Sequence, residues 1–414
     1  MHTRHNLEPL RYPLRMAGIV AIVLTLTGTT SARAGYTTIW NNGSSANRVD
    51  MVFMGDGYTS AELTSLYPTH IQNTLTWMFD SGRAPFPRYK NFFNVHRIDL
   101  VSNESGADVP PDDIFRDTAI GGHYYDGGTA RSLYVNEPKA NGQLSVNLKG
   151  APFSAEIRFV PINDTTYGGA GGRYAVFSAG NTYANELALH ELGHSFGGLA
   201  DEYAYDGPGG VYTGPEPLQP NVTASPTGDK WAQWLGYSEP GMGTIGVYEG
   251  ARYYEQGLYR PSPDSKMRNL ERPFDAVSRE QLILKIYELV NPLDDWRSNT
   301  SAISDDSPLW VDVVDPGVIK TQWFVNGALV TGAHEEAFSL RDFGFGNGTY
   351  EVKARAYDDT PWVRRDLSNL EQQVSWNVTL VPEPATLPLA GLATLGLWFL
   401  RHRLRVQAGR RPRP

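Results

Sequence analysis

The run HELGHSFGGLADEY, residues 190–203, decides how the whole chain is interpreted. Its first five residues place His190, Glu191 and His194 within little more than one helical turn. Side chains four residues apart on a helix lie one above the other, so both imidazoles can reach a single metal ion. Glu191 lies one position further round, where it can contact a water on that ion without ligating it. The pattern predicts a zinc-hydrolase site in which His190 and His194 hold one catalytic Zn²⁺ and Glu191 is the general base.

The surrounding residues favour a helix over residues 181–199. Apolar residues recur there at helical spacing, and the pair Gly197-Gly198 follows them, as is typical of a helix end. An ordinary amphipathic helix with two hydrogen-bonded histidines is the alternative. That alternative requires neither a glutamate between the histidines nor the acidic residues that follow.

The third metal ligand is less clearly indicated than the first two. The chain follows the pattern HExxHxxGxxH as far as Gly197, but Ala200 stands where that pattern has its last histidine. Asp201 and Glu202 come next, and a carboxylate oxygen is an acceptable zinc ligand. We expect Asp201 to be the ligand and Glu202 to support it, with the reverse assignment and a turn-capping role for Asp201 as alternatives.

The run HELGHSFGGLADEY resembles the bacterial zinc metallopeptidases of the IgA-peptidase type, a metzincin-like group. Residues 49–59 (VDMVFMGDGYT) are similar to the opening strand and turn of that family, and residues 102–108 (SNESGAD) to a later segment. Residues 259–268 look like its methionine turn, although relatives often carry cysteines there and this chain has none. The resemblance covers roughly residues 45–295 and implies a peptidase with one zinc ion.

Three further assignments have alternatives. Met267 would lie beneath the zinc if the methionine turn is present, and otherwise would fill the core. Tyr259 would donate to the oxyanion or be an ordinary tyrosine. Residues 173–178 would form an edge strand that aligns an extended peptide, or a plain edge or hairpin strand.

Both ends of the chain look like targeting segments. Arginines precede an apolar run of about 11 residues and the small-residue site Ala32-Arg33-Ala34, which predicts a signal peptide over residues 1–34. The sequence Pro382-Glu383-Pro384, a short apolar stretch and an arginine cluster resemble the PEP-CTERM sorting signal of Gram-negative bacteria. That resemblance implies export to the cell envelope and an exosortase-type enzyme as partner, with a permanent C-terminal anchor as the alternative for residues 381–414.

Composition narrows the range of partners. The formal net charge of the chain is −9. The leader contributes about +3 and the tail about +5, so the region between them carries a net charge of about −17. A body this acidic argues against nucleic acid as a partner and against anionic lipid, which leaves membrane contact to the terminal segments. The chain has no cysteine, so disulfides are excluded.

Periodicity divides the rest of the chain into two parts. Residues 35–295 form the predicted catalytic domain, with strands at 48–54, 92–101 and 156–162 and helices at 61–78 and 276–290. Residues 300–380 contain four alternating segments, at 309–314, 321–325, 349–357 and 372–380. The expected fold class is an α/β (α+β) metzincin-like zinc-peptidase domain followed by an immunoglobulin-like β-sandwich domain.

These observations favour an exported zinc-dependent endopeptidase that hydrolyses peptide bonds of a protein or peptide substrate. The alternative from another class is a non-catalytic cell-envelope binding protein on a metallopeptidase scaffold. Zinc content, together with peptide cleavage that a chelator blocks, distinguishes the two.

Overall fold

The computed structural model describes residues 35–80, 82–205, 209–304 and 307–382. The predicted signal peptide lies outside the described residues, as does the sorting segment from residue 383 onward. In the described parts of the chain, no helix is long and apolar enough to cross a membrane.

The first half of the chain is built around a six-stranded mixed sheet. The strand order is β1-β3-β2-β4-β6-β5; the four inner strands are parallel, and each outer strand is antiparallel to its neighbour. The strands are β1 (Thr37–Trp40), β2 (Val49–Met54), β3 (Phe93–Ile98), β4 (Ile157–Ile162), β5 (Gly169–Gly171) and β6 (Ala175–Ser178).

Both faces of this sheet are covered, which explains the continuous apolar run of β2. Met51 and Phe53 face one core, which includes Leu187 of the helix with the two histidines; Val52 and Met54 face the other. Buried parallel strands need cover on both faces, and alternate side chains supply the contacts. Among the described residues, the α-helices are α1 (Leu66–Met78), α2 (Glu137–Asn147), α3 (Ala184–Ser195) and α4 (Ala276–Tyr287). The mixed α/β architecture predicted from periodicity is therefore present.

One prediction about the sheet was wrong. Residues 173–178 do not form an edge strand, because β6 lies between β4 and β5. The alternative of a hairpin strand is confirmed, since β6 pairs antiparallel with β5, which precedes it directly in the chain. The short strand β5 forms the edge beside α3, and its glycines gave no β-strand pattern in the sequence.

Two small hairpins follow α3. They are formed by β7 (Ser238–Glu239) with β8 (Gly243–Thr244), and by β9 (Tyr248–Ala251) with β10 (Tyr254–Arg260). The long segment after α3 is anchored by Trp231 and Trp234, which are fully buried.

The last part of the chain forms two antiparallel sheets with aromatic side chains packed between them. Trp323 stacks on Phe338 at 5.0 Å and on Trp376 at 5.6 Å between ring centroids. One sheet has the order β11-β12-β15 and the other β14-β13-β16-β17. These strands are β11 (Leu293–Trp296), β12 (Leu309–Val313), β13 (Ile319–Val325), β14 (Ala328–Leu329), β15 (Ala337–Phe338), β16 (Gly348–Asp358) and β17 (Glu371–Leu380).

The two parts of the chain are joined by a shared core and by a buried carboxylate. Asp358, at the end of β16, accepts hydrogen bonds from Arg88 at 2.6 Å, Tyr89 at 2.7 Å and Tyr287 at 2.9 Å. One continuous apolar cluster also extends from β2 through α4 into β17. We call this contact region, centred on Asp358, the junction.

Candidate metal centre and active site

The two histidines of α3 face each other across one helical turn, as their spacing predicts. Their Nε2 atoms are 3.2 Å apart, and most of each side chain is covered by protein. The helix ends directly after them, at Ser195, and Gly198 takes a left-handed conformation with φ +64°. This glycine lets the chain turn back toward the histidines.

Each imidazole is held in one orientation by a backbone carbonyl. His190 Nδ1 is 2.9 Å from the carbonyl oxygen of Lys266, and His194 Nδ1 is 2.8 Å from that of Leu199. A carbonyl can only accept, so Nδ1 must carry the proton that it donates. In the neutral tautomer this leaves a lone pair on each Nε2 atom, which is the form in which histidine binds metals.

Asp201 completes a triangle of candidate ligand atoms with the two imidazoles. Its Oδ1 atom is 3.1 Å from His190 Nε2 and 3.3 Å from His194 Nε2. Ligand atoms about 2.0–2.2 Å from a tetrahedral zinc ion stand about 3.3–3.6 Å apart. The observed triangle therefore fits such an ion to within a few tenths of an ångström, and its two nitrogens and one oxygen suit zinc.

Glu202, the other predicted candidate, lies elsewhere. It is fully buried, and its carboxylate accepts hydrogen bonds from Ser265 at 2.6 Å and Asn221 at 2.9 Å. Burial holds the pKa of Glu202 well above its ordinary value, and nearby Asp275 adds to the effect. Its backbone N–H donates to the carbonyl oxygen of Met267. Glu202 therefore stabilises the segment that includes Lys266, whose carbonyl oxygen contacts His190. The structure brings Asp201 to the imidazoles and keeps the Glu202 carboxylate away from them.

Tyr253 is a site residue that the sequence did not indicate. Its phenol donates a short hydrogen bond to Asp201 Oδ2, on the side of the carboxylate away from the imidazoles. Arg252 and Tyr253 form the turn between β9 and β10 with φ values of +48° and +68°. Residues other than glycine rarely adopt this left-handed backbone conformation, and such backbone strain tends to persist at functional sites. Tyr259, for which the sequence left a catalytic role open, lies on β10 and pairs with Thr223.

The charges of Asp201 and the two imidazoles stabilise one another. Burial alone would lower the pKa of His194, but Asp201 outweighs it and raises that pKa to about 9. Burial alone would raise the pKa of Asp201, but the two imidazoles hold it well below its ordinary value. A metal ion that binds at this centre must therefore displace the protons that the two imidazoles hold.

Glu191 lies beside the triangle and at the edge of the sheet. Its carboxylate and the imidazole nitrogens lie within 4.8 Å of one another, which is further than the Asp201 distances. A Cβ on Gly169 would come within 2.6 Å of Glu191 Oε1, and one on Gly171 within 2.3 Å of His194 Cβ. A larger residue at Gly171 would push β5 away from α3, and one at Gly169 would displace the Glu191 carboxylate. Burial raises the pKa of Glu191, although the two imidazoles oppose the rise.

Met267 packs beneath the same helix. It is fully buried, and a Cβ on Gly193 would come within 2.5 Å of its sulfur atom. The glycine inside the HELGH pentad therefore makes room for this methionine, at the position that the sequence resemblance implied.

The ligand triangle opens into a cleft of about 460 Å³. Its walls include Glu191, the glycines of β5, Arg131 and Tyr253. His190, His194 and Asp201 line the same cleft as Glu191, an arrangement suited to hydrolysis by an activated water.

Comparison with known proteins agrees with this geometry. A family model described as IgA Peptidase M64 matches residues 37–243, which is half of the 414-residue chain. A second model, the PEP-CTERM protein-sorting motif, matches residues 380–404. No curated protein matches the chain.

Proposed function

The protein belongs to the IgA peptidase M64 family, whose members are metallopeptidases, and we propose that it is a zinc-dependent endopeptidase exported to the cell envelope. The observation that carries the proposal is the triangle of His190 Nε2, His194 Nε2 and Asp201 Oδ1, with edges of 3.1–3.3 Å. In this proposal His190, His194 and Asp201 hold one zinc ion, and Tyr253 orients Asp201.

Zinc bound at this triangle would act as a Lewis acid that lowers the pKa of water from 15.7 to about 7. Glu191 then performs the proton transfers. It accepts a proton from the attacking water and delivers it to the nitrogen of the leaving amine. Its carboxylate is buried, and burial raises its pKa toward the working pH, where a base that must return its proton works best.

We propose that β5 aligns the substrate. Gly168 and Ser178 share a ladder hydrogen bond, as do Gly172 and Tyr174, so the alternation of an antiparallel pair directs the N–H and C=O of Gly169 and Gly171 outward. Gly169 already bonds on that side to Arg131 and Leu133. Gly171 remains as the position where an extended peptide could add to the sheet next to His194.

The remaining predictions concern the rest of the chain. Residues 1–34 would be removed as a signal peptide, and an exosortase-type enzyme would process the sorting segment. The two aromatic-filled sheets from Leu293 onward would form the immunoglobulin-like sandwich, fixed to the catalytic part by the junction.

Replacing the proposed base tests the mechanism directly. Glu191→Gln should reduce casein or peptide hydrolysis by about 10²–10⁴-fold while zinc content stays at one ion per chain, because Gln keeps the shape of the side chain but cannot accept the proton. Glu288→Gln, the same change at an exposed position at the end of α4, is the matched control. Undiminished hydrolysis by Glu191→Gln contradicts its role. A zinc-loaded wild-type protein that cleaves nothing favours the non-catalytic binding protein instead.

A further inference from the structure

Glu280, on α4, is a buried carboxylate outside the metal centre that accepts four hydrogen bonds, two at each oxygen atom. Its Oε1 atom accepts from the backbone N–H groups of Arg364 at 2.5 Å and Arg365 at 2.9 Å. Its Oε2 atom accepts from the side-chain amide of Gln233 at 3.0 Å and the indole N–H of Trp234 at 2.9 Å. One side chain therefore joins two segments that lie far apart in the sequence.

The first segment is the loop of residues 359–367, which lies between β16 and β17 of the C-terminal sheets. The guanidinium of Arg364 lies over the rings of Trp234 at 4.0 Å and Tyr237 at 4.8 Å, and it donates to the carbonyl oxygen of Gln233 at 3.2 Å. A guanidinium over an aromatic face is attracted to it. The loop is thus held to Trp234 directly as well as through Glu280.

The second segment is the short 3₁₀ helix Asp229–Trp234, which supports one wall of the cleft. Lys230 donates to the carbonyl oxygen of Gln219 at 2.9 Å, and Gln219 lines the cleft. Two residues later, the side chain of Asn221 exchanges two hydrogen bonds of 2.8 Å with the backbone of Ala200, which also lines the cleft. The position of this wall therefore depends on where the 3₁₀ helix lies.

A second set of contacts leads from the same 3₁₀ helix to the turn between β9 and β10. The indole N–H of Trp231 donates to the carbonyl oxygen of Gly246 at 2.8 Å, just before β9 begins. At the other end of β9, the backbone N–H of Arg252 donates to the carbonyl oxygen of Asp201 at 3.0 Å. Arg252 and Tyr253 both line the cleft. Displacing the 3₁₀ helix should therefore shift this wall, whereas the two histidines stay on α3.

We propose that Glu280 is a positioning residue, through which the C-terminal sheets hold the 3₁₀ helix and so fix the cleft wall against which a substrate binds. The inference rests on the proposed peptidase function and gives the C-terminal sheets a part in it. Loss of either segment would leave an acceptor unpaired in the interior, so the carboxylate favours both contacts together. A purely structural Glu280 would instead affect stability and leave substrate binding unchanged.

Glu280→Ala tests the proposal, with Gln281→Ala as the matched control. Gln281 is the next residue on α4, and its side chain accepts from Arg365 of the same loop at 2.8 Å. With zinc-loaded protein and a fluorogenic peptide long enough to span the cleft, we expect Glu280→Ala to raise KM by about 5–20-fold and to change kcat by less than about 2-fold. Contacts that serve substrate and transition state alike have this effect when they are lost. Gln281→Ala should keep the wild-type KM.

Two further variants make the test independent of how well Glu280→Ala folds. Glu280→Gln retains one acceptor oxygen, so its KM should lie between those of wild type and Glu280→Ala. Arg364→Ala keeps the backbone N–H that donates to Glu280 but removes the guanidinium over Trp234, and we expect it to raise KM by about 2–5-fold. Zinc content of one ion per chain confirms that each variant is loaded.

Hydrogen exchange measured by mass spectrometry adds a result that does not require catalysis. In Glu280→Ala, amides of residues 217–222 and 248–253 should exchange at least about 10-fold faster than in wild type, whereas those of β2 and β4 should keep their rates. Wild-type KM in every Glu280 and Arg364 variant, or exchange that accelerates equally throughout, overturns the positioning role and leaves the peptidase proposal intact. A zinc-loaded wild-type protein that cleaves neither the peptide nor casein overturns the peptidase proposal, and the positioning role with it.

Discussion

The candidate metal centre and the junction are both built around a buried aspartate with three side-chain partners, yet the chemistry of the partners differs. At the junction, Asp358 accepts hydrogen bonds from a guanidinium and two phenols. At the metal centre, Asp201 faces two imidazole nitrogens and one phenol. The difference lies in what the partners can donate.

Arginine and tyrosine carry permanent donors, so the Asp358 carboxylate is satisfied by the protein alone. The two imidazoles already use their Nδ1–H groups on carbonyls, so in the neutral form they point lone pairs at a third acceptor. Three acceptor atoms about 3.2 Å apart repel unless a cation lies between them. A proton or a metal ion must therefore be present at Asp201, whereas nothing further is needed at Asp358. One cluster is suited to bind an ion and the other to fasten two parts of a chain.

The sharpest way to break this comparison is to remove Asp201. Asp201→Ala should weaken zinc binding by about a thousand-fold, because one of three ligands is lost from a binding free energy on the order of 10–16 kcal/mol. Competition with a chromophoric chelator measures the change. Unaltered zinc affinity would assign the third ligand to another residue, with Glu202→Ala as the variant to compare.

Replacing Asp358 should lower the stability of the fold and leave zinc binding unchanged. Asp358→Ala leaves Arg88, Tyr89 and Tyr287 without their shared acceptor, and we expect it to lower the free energy of unfolding by about 3 kcal/mol. Zinc affinity should stay at the wild-type value. Urea unfolding and chelator competition on the same samples separate the two effects. If Asp358→Ala released zinc, the two clusters would not be independent.

A smaller effect should follow from changing Tyr253, whose phenol donates a hydrogen bond to Asp201. Tyr253→Phe removes only the hydroxyl that donates to Asp201 Oδ2 and keeps the ring and the strained turn. Loss of a group that orients a ligand typically weakens metal binding by 10–100-fold, and we expect a change of about that size. Tyr259→Phe, on the same hairpin but paired with Thr223, is the control. Equal zinc affinity in the two variants would mean that Tyr253 does not orient Asp201.

The sequence predicted the parts of this centre that depend on local spacing. His190, Glu191 and His194 lie on α3 as their periodicity required, and Asp201 reaches them because Gly198 turns the chain. Long-range contacts carry no such signal. Tyr253 lies 52 residues from Asp201 along the chain, and nothing in its sequence neighbourhood distinguishes it from other tyrosines.

The edge of the sheet could not be predicted for a different reason. Gly169 and Gly171 are required because the strand approaches α3 too closely for side chains. In sequence, however, glycines predict loops. Four strands of the last two sheets, β12, β13, β16 and β17, were by contrast predicted to within a few residues, because their buried and less buried side chains alternate. The shorter β14 and β15, and β11, were not predicted. A strand whose glycines pack closely against a helix therefore gives no strand pattern in the sequence, whereas a strand buried on one face gives an alternating pattern that predicts it.

A third carboxylate extends the comparison to a site with too few donors. Glu156 accepts a hydrogen bond from the backbone N–H of Asp50 at 2.8 Å, and burial raises its pKa to about 7. Between its ordinary pKa, about 4.3, and 7, the folded protein keeps a proton that the unfolded chain releases, so stability must fall as pH rises through this window. Glu156→Gln removes the titration, and near pH 8 we expect it to be more stable than wild type by on the order of 1 kcal/mol after allowing for partial exposure. The difference should vanish near pH 4.5. Thermal unfolding of the zinc-loaded proteins across this range measures it.

Glu62→Gln should change stability in the opposite direction, because hydrogen bonds from Thr59 and Ser105 outweigh burial and lower the pKa of Glu62. The same pH dependence in Glu156→Gln and wild type would show that the buried charge lies elsewhere.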